Sequence, residues 1–376
     1  MNNRIRIISF QNAQNYGAIL QAFGLMKTIE ALGYSDVQFV NYNPLYLRNR
    51  YKVCSKRFFD TSNYSFKNKV KFWLTIPLLM VNRVRRNYIL NQSRKRLLKQ
   101  TRRVYHDVSD IKGIKCDLLI CGSDQIWSTW ITGKPDPVFY GVGGYVGVKR
   151  KISYAASSEI STFEKDDNII ILKDLLTNLD SISVREKAVK NAVQKIVDKD
   201  VYLCIDPTVL CGREHFSQIA SVRQVSAPYI LVYSYDIGDP DVHEIIHSIP
   251  FYQKYQVHYL SFGSTGLRGT ISNNIHGEVS VEDYLSFFKY ADYVVTNSFH
   301  GLAFSLLFEK PFNVAYKQGL TTRVESLLEQ LNLQSRLVKN IGDVSWAPID
   351  YDMVNAELRK VREDSISYLK MNLEKE

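Results

Sequence analysis

No stretch of this 376-residue chain reaches the ~20 apolar residues that a membrane-crossing helix requires. No G-x-G-x-x-G follows the first strand-like segment, and neither a Walker A pattern nor a G-x-S-x-G elbow occurs, so nicotinamide, P-loop and serine-hydrolase chemistries are not indicated. The five cysteines (Cys54, Cys116, Cys121, Cys204 and Cys211) form no C-x-x-C pair and have no zinc-like spacing to histidine. They read as reduced, structural residues of a cytoplasmic protein, and no metal site or cofactor is expected. The chain opens on a short strand-like IRIIS (5–9) rather than an apolar leader. Internal repeats and low-complexity tracts are absent.

Acidic residues are nearly missing from one segment. Between Tyr46 and Tyr105 there are 17 Lys and Arg and a single acid, Asp60. The formal charge of that segment is 17 − 1 = +16, whereas the whole chain carries +10. A block so localised marks contact with something anionic. Its centre, KVKFWLTIPLLMVNRVRR (69–86), holds an apolar run around Pro77 flanked by Lys69, Lys71, Arg83, Arg85 and Arg86. This suits a segment lying among anionic lipid headgroups, with Trp73 at the interface and the cations reaching phosphates. Two amphipathic helices with solvated cationic faces fit as well. Nucleic acid is not expected, because no nucleic-acid fold signature accompanies the charge. A cytoplasmic protein, peripheral on the inner face of the membrane, is therefore expected.

What is present is an alternation of strand and helix patterns. The length suits two domains. The first reads β-α-β over the opening 45 residues, then the basic helical insertion (about 46–105), then the strand CDLLICG (116–122), apolar but for Asp117, and further strands to about 210. The second restarts with YILVYSY (229–235) and continues the alternation. We expect an α/β protein of two Rossmann-like domains, 1–210 and 211–376, with parallel sheets facing a cleft and the last helix free to pack back on the first domain.

Polar clusters fall at the ends of these strands: Asn15, Tyr16 and Gly17; Ser123, Asp124 and Gln125; Ser183, Arg185 and Glu186; Gly263 and Arg268; and Asn297, Ser298 and His300. His300 follows the strand-like YADYVVTNS (290–298) and opens an apolar helix. Helix N-termini and strand carboxyl ends collect anionic ligands, and a histidine there either moves a proton or caps and packs. Asp124 either deprotonates a hydroxyl or caps the helix after it.

QNAQNYGAILQAFGL (11–25), CGSDQIW (121–127), SVRE (183–186), NSFHGLAFSLLFEKPF (297–312) and RVESLLEQLNL (323–333) resemble the polysaccharide pyruvyltransferase family. The resemblance implies a GT-B-like fold with its site between the domains. It also implies transfer of pyruvate from phosphoenolpyruvate onto two sugar hydroxyls of a surface polysaccharide or a polyprenyl-diphosphate-linked precursor, as a cyclic ketal. The family histidine maps onto His300, the expected general acid. Where some branches carry arginine two residues earlier this chain has Ser298, so a bidentate anion clamp is missing there. Arg185, then Arg268 and Arg323, then Lys317 are the expected donor-binding cations. A GT-B glycosyltransferase using a nucleotide sugar, and a non-catalytic membrane-associated scaffold for polysaccharide assembly, are the alternatives.

Overall fold

The computed structural model describes residues 3–54, 66–262, 274–317 and 322–374, without the side chains of 66–68, 71, 166 and 167. Fourteen strands are named here in chain order. The first domain contributes β1 (Ile5–Ile8), β2 (Val37–Phe39), β3 (Lys112–Lys115), β4 (Leu118–Asp124), β5 (Gly144–Val146), β6 (Arg150–Ala156), β7 (Ile182–Val184) and β8 (Val201–Leu203). The second contributes β9 (Tyr229–Ser234), β10 (Gln256–Ser261), β11 (Ile275–His276), β12 (Tyr293–Thr296), β13 (Phe312–Ala315) and β14 (Leu337–Val338).

Each domain builds one six-stranded parallel sheet, in the orders β2-β1-β4-β6-β7-β8 and β11-β10-β9-β12-β13-β14. β3 and β5 pair separately. Central strands such as Ile5–Ile8 and Tyr229–Ser234 are buried throughout, because helices cover both faces of a parallel sheet. These are the two Rossmann-like domains expected, in a GT-B-like arrangement. In both sheets the strand order reverses once, between β1 and β4 and between β9 and β12. Loops leaving such a reversal diverge and open a crevice at the strand carboxyl ends.

The domains share apolar packing. Helix Tyr16–Ala31 lies so close to helix Pro207–Cys211 that a Cβ on Gly24 would sit 2.5 Å from the Pro207 carbonyl oxygen. Phe23, Phe216 and Phe304 pack tilted and edge-to-face in sequence from the first domain into the second, with ring centroids 5.8 and 5.3 Å apart. The terminal helix Tyr351–Leu373 returns to the first domain. There the Tyr368 hydroxyl donates to the Ser153 carbonyl (2.8 Å) and Ser365 Oγ accepts from the Ile205 amide (2.9 Å).

The basic segment departs from expectation in two ways. Its core is one helix, Phe66–Leu97, running through Pro77, not a pair. And Arg86 does not face a surface. It is 4% exposed, donating to Tyr16 Oη at 2.9 Å and to the carbonyls of Gly277, Ser261 and Phe262, with its guanidinium 4.7 Å from the Tyr16 ring centroid. Sequence counting treats every cation as solvated. The helix instead turns this one inward, where carbonyls at the end of β10 and before the next helix need donors. Arg83 is partly engaged too, donating to the Lys52 carbonyl. Ser93 and Arg96 bond Glu282 of the second domain, so the helix ties the domains together. No helix among the described residues is long and apolar enough to cross a membrane.

Candidate active site

The loop after β1 ends in Asn15, whose Oδ1 accepts from the Gly17 amide at 2.9 Å and starts helix Tyr16–Ala31. The loop after β12 ends in Ser298, which precedes helix Phe299–Leu307. The two helix starts meet. A Cβ on Gly17 would lie 2.2 Å from His300 Nδ1 and 2.5 Å from both Cγ and Cε1, so the imidazole rests on backbone that only glycine leaves bare. His300 is 8% exposed, and its Nε2 is buried without a hydrogen-bond partner.

Beside it, β7 delivers Arg185 and Glu186. The Arg185 guanidinium lies 4.5 Å from the Phe299 ring centroid, a cation–π contact across the domains. Its Nη1 donates to Asp206 in a short bond, its Nε to Glu186 Oε1 at 3.3 Å, and its Nη2 is buried and unpartnered. Two carboxylates thus compete for one guanidinium. Burial pushes Asp206 up, but Arg185, His300 and the Thr208 amide outweigh it and hold the carboxyl below its ordinary range. Burial also pushes Glu186 up, and there it prevails over Arg185, Ser157 and Arg323. The two carboxyls are thus driven in opposite directions, Asp206 towards the charged form and Glu186 away from it. Burial lowers the His300 pKa; Asp206 and Asp124 pull it up, while Arg185 and Arg323 add to the depression. On balance the surroundings disfavour the charged imidazolium.

The other expected residues divide. Asn15, Gly17, Asp124, Arg185, His300 and the half-buried Arg323 gather at this junction, Asp124 and Arg323 by their electrostatic reach to His300. Tyr16 is turned away from it: stacked on Tyr284 at 4.5 Å, its hydroxyl donating to the Val279 carbonyl at 3.1 Å. The Ser123 hydroxyl donates to the Ala155 carbonyl at 2.8 Å and its own carbonyl accepts from Ser9 Oγ at 2.9 Å, which joins strand ends. Half-buried Gln125 follows β4, its carbonyl accepting from the Ser128 amide. Asn297 spans β12 and β9, accepting from the Tyr235 amide at 3.0 Å and donating to Ser234 Oγ at 2.9 Å. The buried Ser298 makes no side-chain cap. Lys317 lies past the end of β13, paired with Asp239 at 3.0 Å. Arg268 lies outside the described residues. Asp206 was missed by sequence reasoning; a lone acid before Pro207 reads as a helix cap, which it also is. Among the described residues no cluster of His, Cys, Asp and Glu could hold a metal ion.

Solved structures of similar overall shape include S. aureus MnaA with UDP (13% identity, TM-score 0.48, covering 100% of this chain and 97% of that one). Others are the glycotransferase of kitacinnamycin (12%, 0.44, 99% and 100%) and a putative UDP-N-acetylglucosamine 2-epimerase from Listeria monocytogenes (12%, 0.44, 97% and 91%). At these similarities none bears on what this chain does. No individually curated protein matches the sequence. A family model described as polysaccharide pyruvyl transferase matches residues 15–315, most of the chain, from the start of helix Tyr16–Ala31 to the end of β13. The chain belongs to the polysaccharide pyruvyl transferase family.

Proposed function

We propose that the chain transfers the pyruvate unit of phosphoenolpyruvate onto two hydroxyls of a sugar in a polysaccharide or its lipid-linked precursor, forming a cyclic ketal and releasing phosphate. The observation that carries this is the pair of buried, unpartnered donors and acceptors at the domain junction: Arg185 Nη2 and His300 Nε2, with Arg323 beside them. Buried polar atoms normally find partners, and each one left over costs about 1–3 kcal/mol unless a ligand supplies the bond. The donor's phosphate and carboxylate are suited to supply it. Burial alters the part expected of His300, since a neutral imidazole accepts a proton before it donates one. An anionic donor beside the ring raises its proton affinity and favours that acceptance.

The test is phosphate release from phosphoenolpyruvate with a panel of acceptor glycans, run beside nucleotide-sugar donors. His300→Ala should lower turnover by roughly 10²-fold or more. Arg323→Ala should raise KM for phosphoenolpyruvate more than KM for acceptor. Wild-type kinetics in both folded variants, or turnover with nucleotide sugars alone, would overturn this reading.

The basic helix supports a membrane-surface contact as part of the same proposal. Val70, Trp73, Leu74, Val81, Val84 and Tyr88 recur at helical spacing and are 45%, 58%, 78%, 62%, 54% and 64% exposed. An apolar stripe within a +16 segment fits an anionic bilayer, where a polyprenyl-linked acceptor would reside. Leu74→Glu with Val81→Glu should abolish co-sedimentation with phosphatidylglycerol vesicles. Equal binding to neutral phosphatidylcholine vesicles, or none to either, would remove the contact.

A further inference from the structure

Resting on the transfer reading above, we propose that Glu186 gives the proton to the methylene carbon of the donor while His300 takes the proton of the attacking hydroxyl. Ketal formation from an enol phosphate moves protons in both directions. One arrives at carbon and makes a methyl group; one leaves each of the two hydroxyls as its oxygen bonds to the central carbon. A single histidine between the domains does not serve both at once.

The junction holds a second group with the geometry for the task. The Glu186 side chain is 4% exposed. Its Oε1 is saturated, accepting from Ser157 Oγ at 2.5 Å and from Arg185 Nε at 3.3 Å. Its Oε2 is buried and has no partner, so a proton on this carboxyl belongs on that oxygen. Glu186 also borders a cavity of ≈ 260 Å³ in the gap between the domains, with Ser158, Asn191 and Thr322 among its walls. The charged groups acting on the carboxyl are Arg185, itself held by Asp206, and Arg323 from the second domain; Lys187, Glu325 and Glu329 line the adjoining cavity. His300 Nε2 is unpartnered likewise. Two titratable groups in one site whose surroundings drive their proton affinities in opposite directions divide acid from base.

The steps balance. Glu186 Oε2–H protonates the methylene carbon, the first hydroxyl oxygen bonds to the central carbon, and that hydroxyl's proton passes to His300 Nε2. The second hydroxyl then bonds to the same carbon and returns a proton to the Glu186 carboxylate. The carbon–oxygen bond to phosphate breaks with its electron pair on oxygen, and phosphate leaves with the proton held by His300. Both side chains end as they began.

Glu186→Gln keeps the shape and removes the proton. It should cut kcat by about 10²-fold or more with KM for phosphoenolpyruvate near wild type. The bell-shaped kcat profile should lose its basic limb in Glu186→Gln, shift that limb in Glu186→Asp, and lose its acidic limb in His300→Gln. Infrared difference spectra between wild type and Glu186→Gln at neutral pH should show one protonated carboxyl, whether or not the protein is turning over. No such band, or a basic limb that survives in Glu186→Gln, overturns the assignment. Wild-type protein that releases no phosphate from phosphoenolpyruvate with any acceptor removes the transfer reading, and this inference with it.

Discussion

Replacing Gly17 by alanine tests the junction more directly than removing His300. The added methyl carbon would stand 2.2 Å from Nδ1 and 2.5 Å from Cγ and Cε1. Carbon atoms pack at about 3.5–4.0 Å, so the ring must retreat by roughly 1 Å or more. Overpacking of this kind costs about 1–3 kcal/mol. Alanine in place of glycine in a helix returns up to about 1 kcal/mol. The net loss of stability should be about 0–2 kcal/mol, within reach of denaturant titration. The effect on turnover should be far larger, because a displacement near 1 Å in a reacting group costs on the order of 10²-fold. In a His300→Ala background the ring is gone, so Gly17→Ala should be neutral or stabilising there. The coupling energy between the two sites should therefore be about 1–3 kcal/mol. The same stability change in both backgrounds, or Gly17→Ala with the wild-type rate, would refute the placement of His300 against Gly17.

Arg86→Gln should destabilise the protein by on the order of 3 kcal/mol, since a charged donor leaves buried carbonyls and the Tyr16 ring. Exposed Arg85→Gln should stay within about 0.5 kcal/mol of wild type, and urea titration that finds the two alike would place Arg86 at the surface after all. His276 Nε2 lies 2.9 Å from His258 Nδ1, and burial, then His258, push its pKa down to about 4. The unfolded chain takes up this proton near its ordinary value and the folded protein resists it, so stability should fall as pH drops from about 6.5 towards 4. His276→Gln should flatten that slope in pH-dependent unfolding, and an unchanged slope would show that the pair does not govern it.

Features that depend on neighbours along the chain are legible in the residues alone. Apolar runs at 118–121 and 229–233 specify buried parallel strands, and the polar residues after them mark helix starts. His300 and Arg185 stood out because each lies at such a start. Which strand ends meet is set by how the two domains pack. Gly17 reads as an ordinary turn glycine until His300 arrives on it from the other domain. Asp206 reads as a cap until Arg185 turns towards it. Arg86 belongs by composition to a solvated cationic block, yet the helix's rotation buries it among carbonyls of the second domain. Charge and periodicity describe one element at a time. A buried ion's partners, and the protons it keeps or loses, follow from surfaces brought together by packing between elements far apart in sequence.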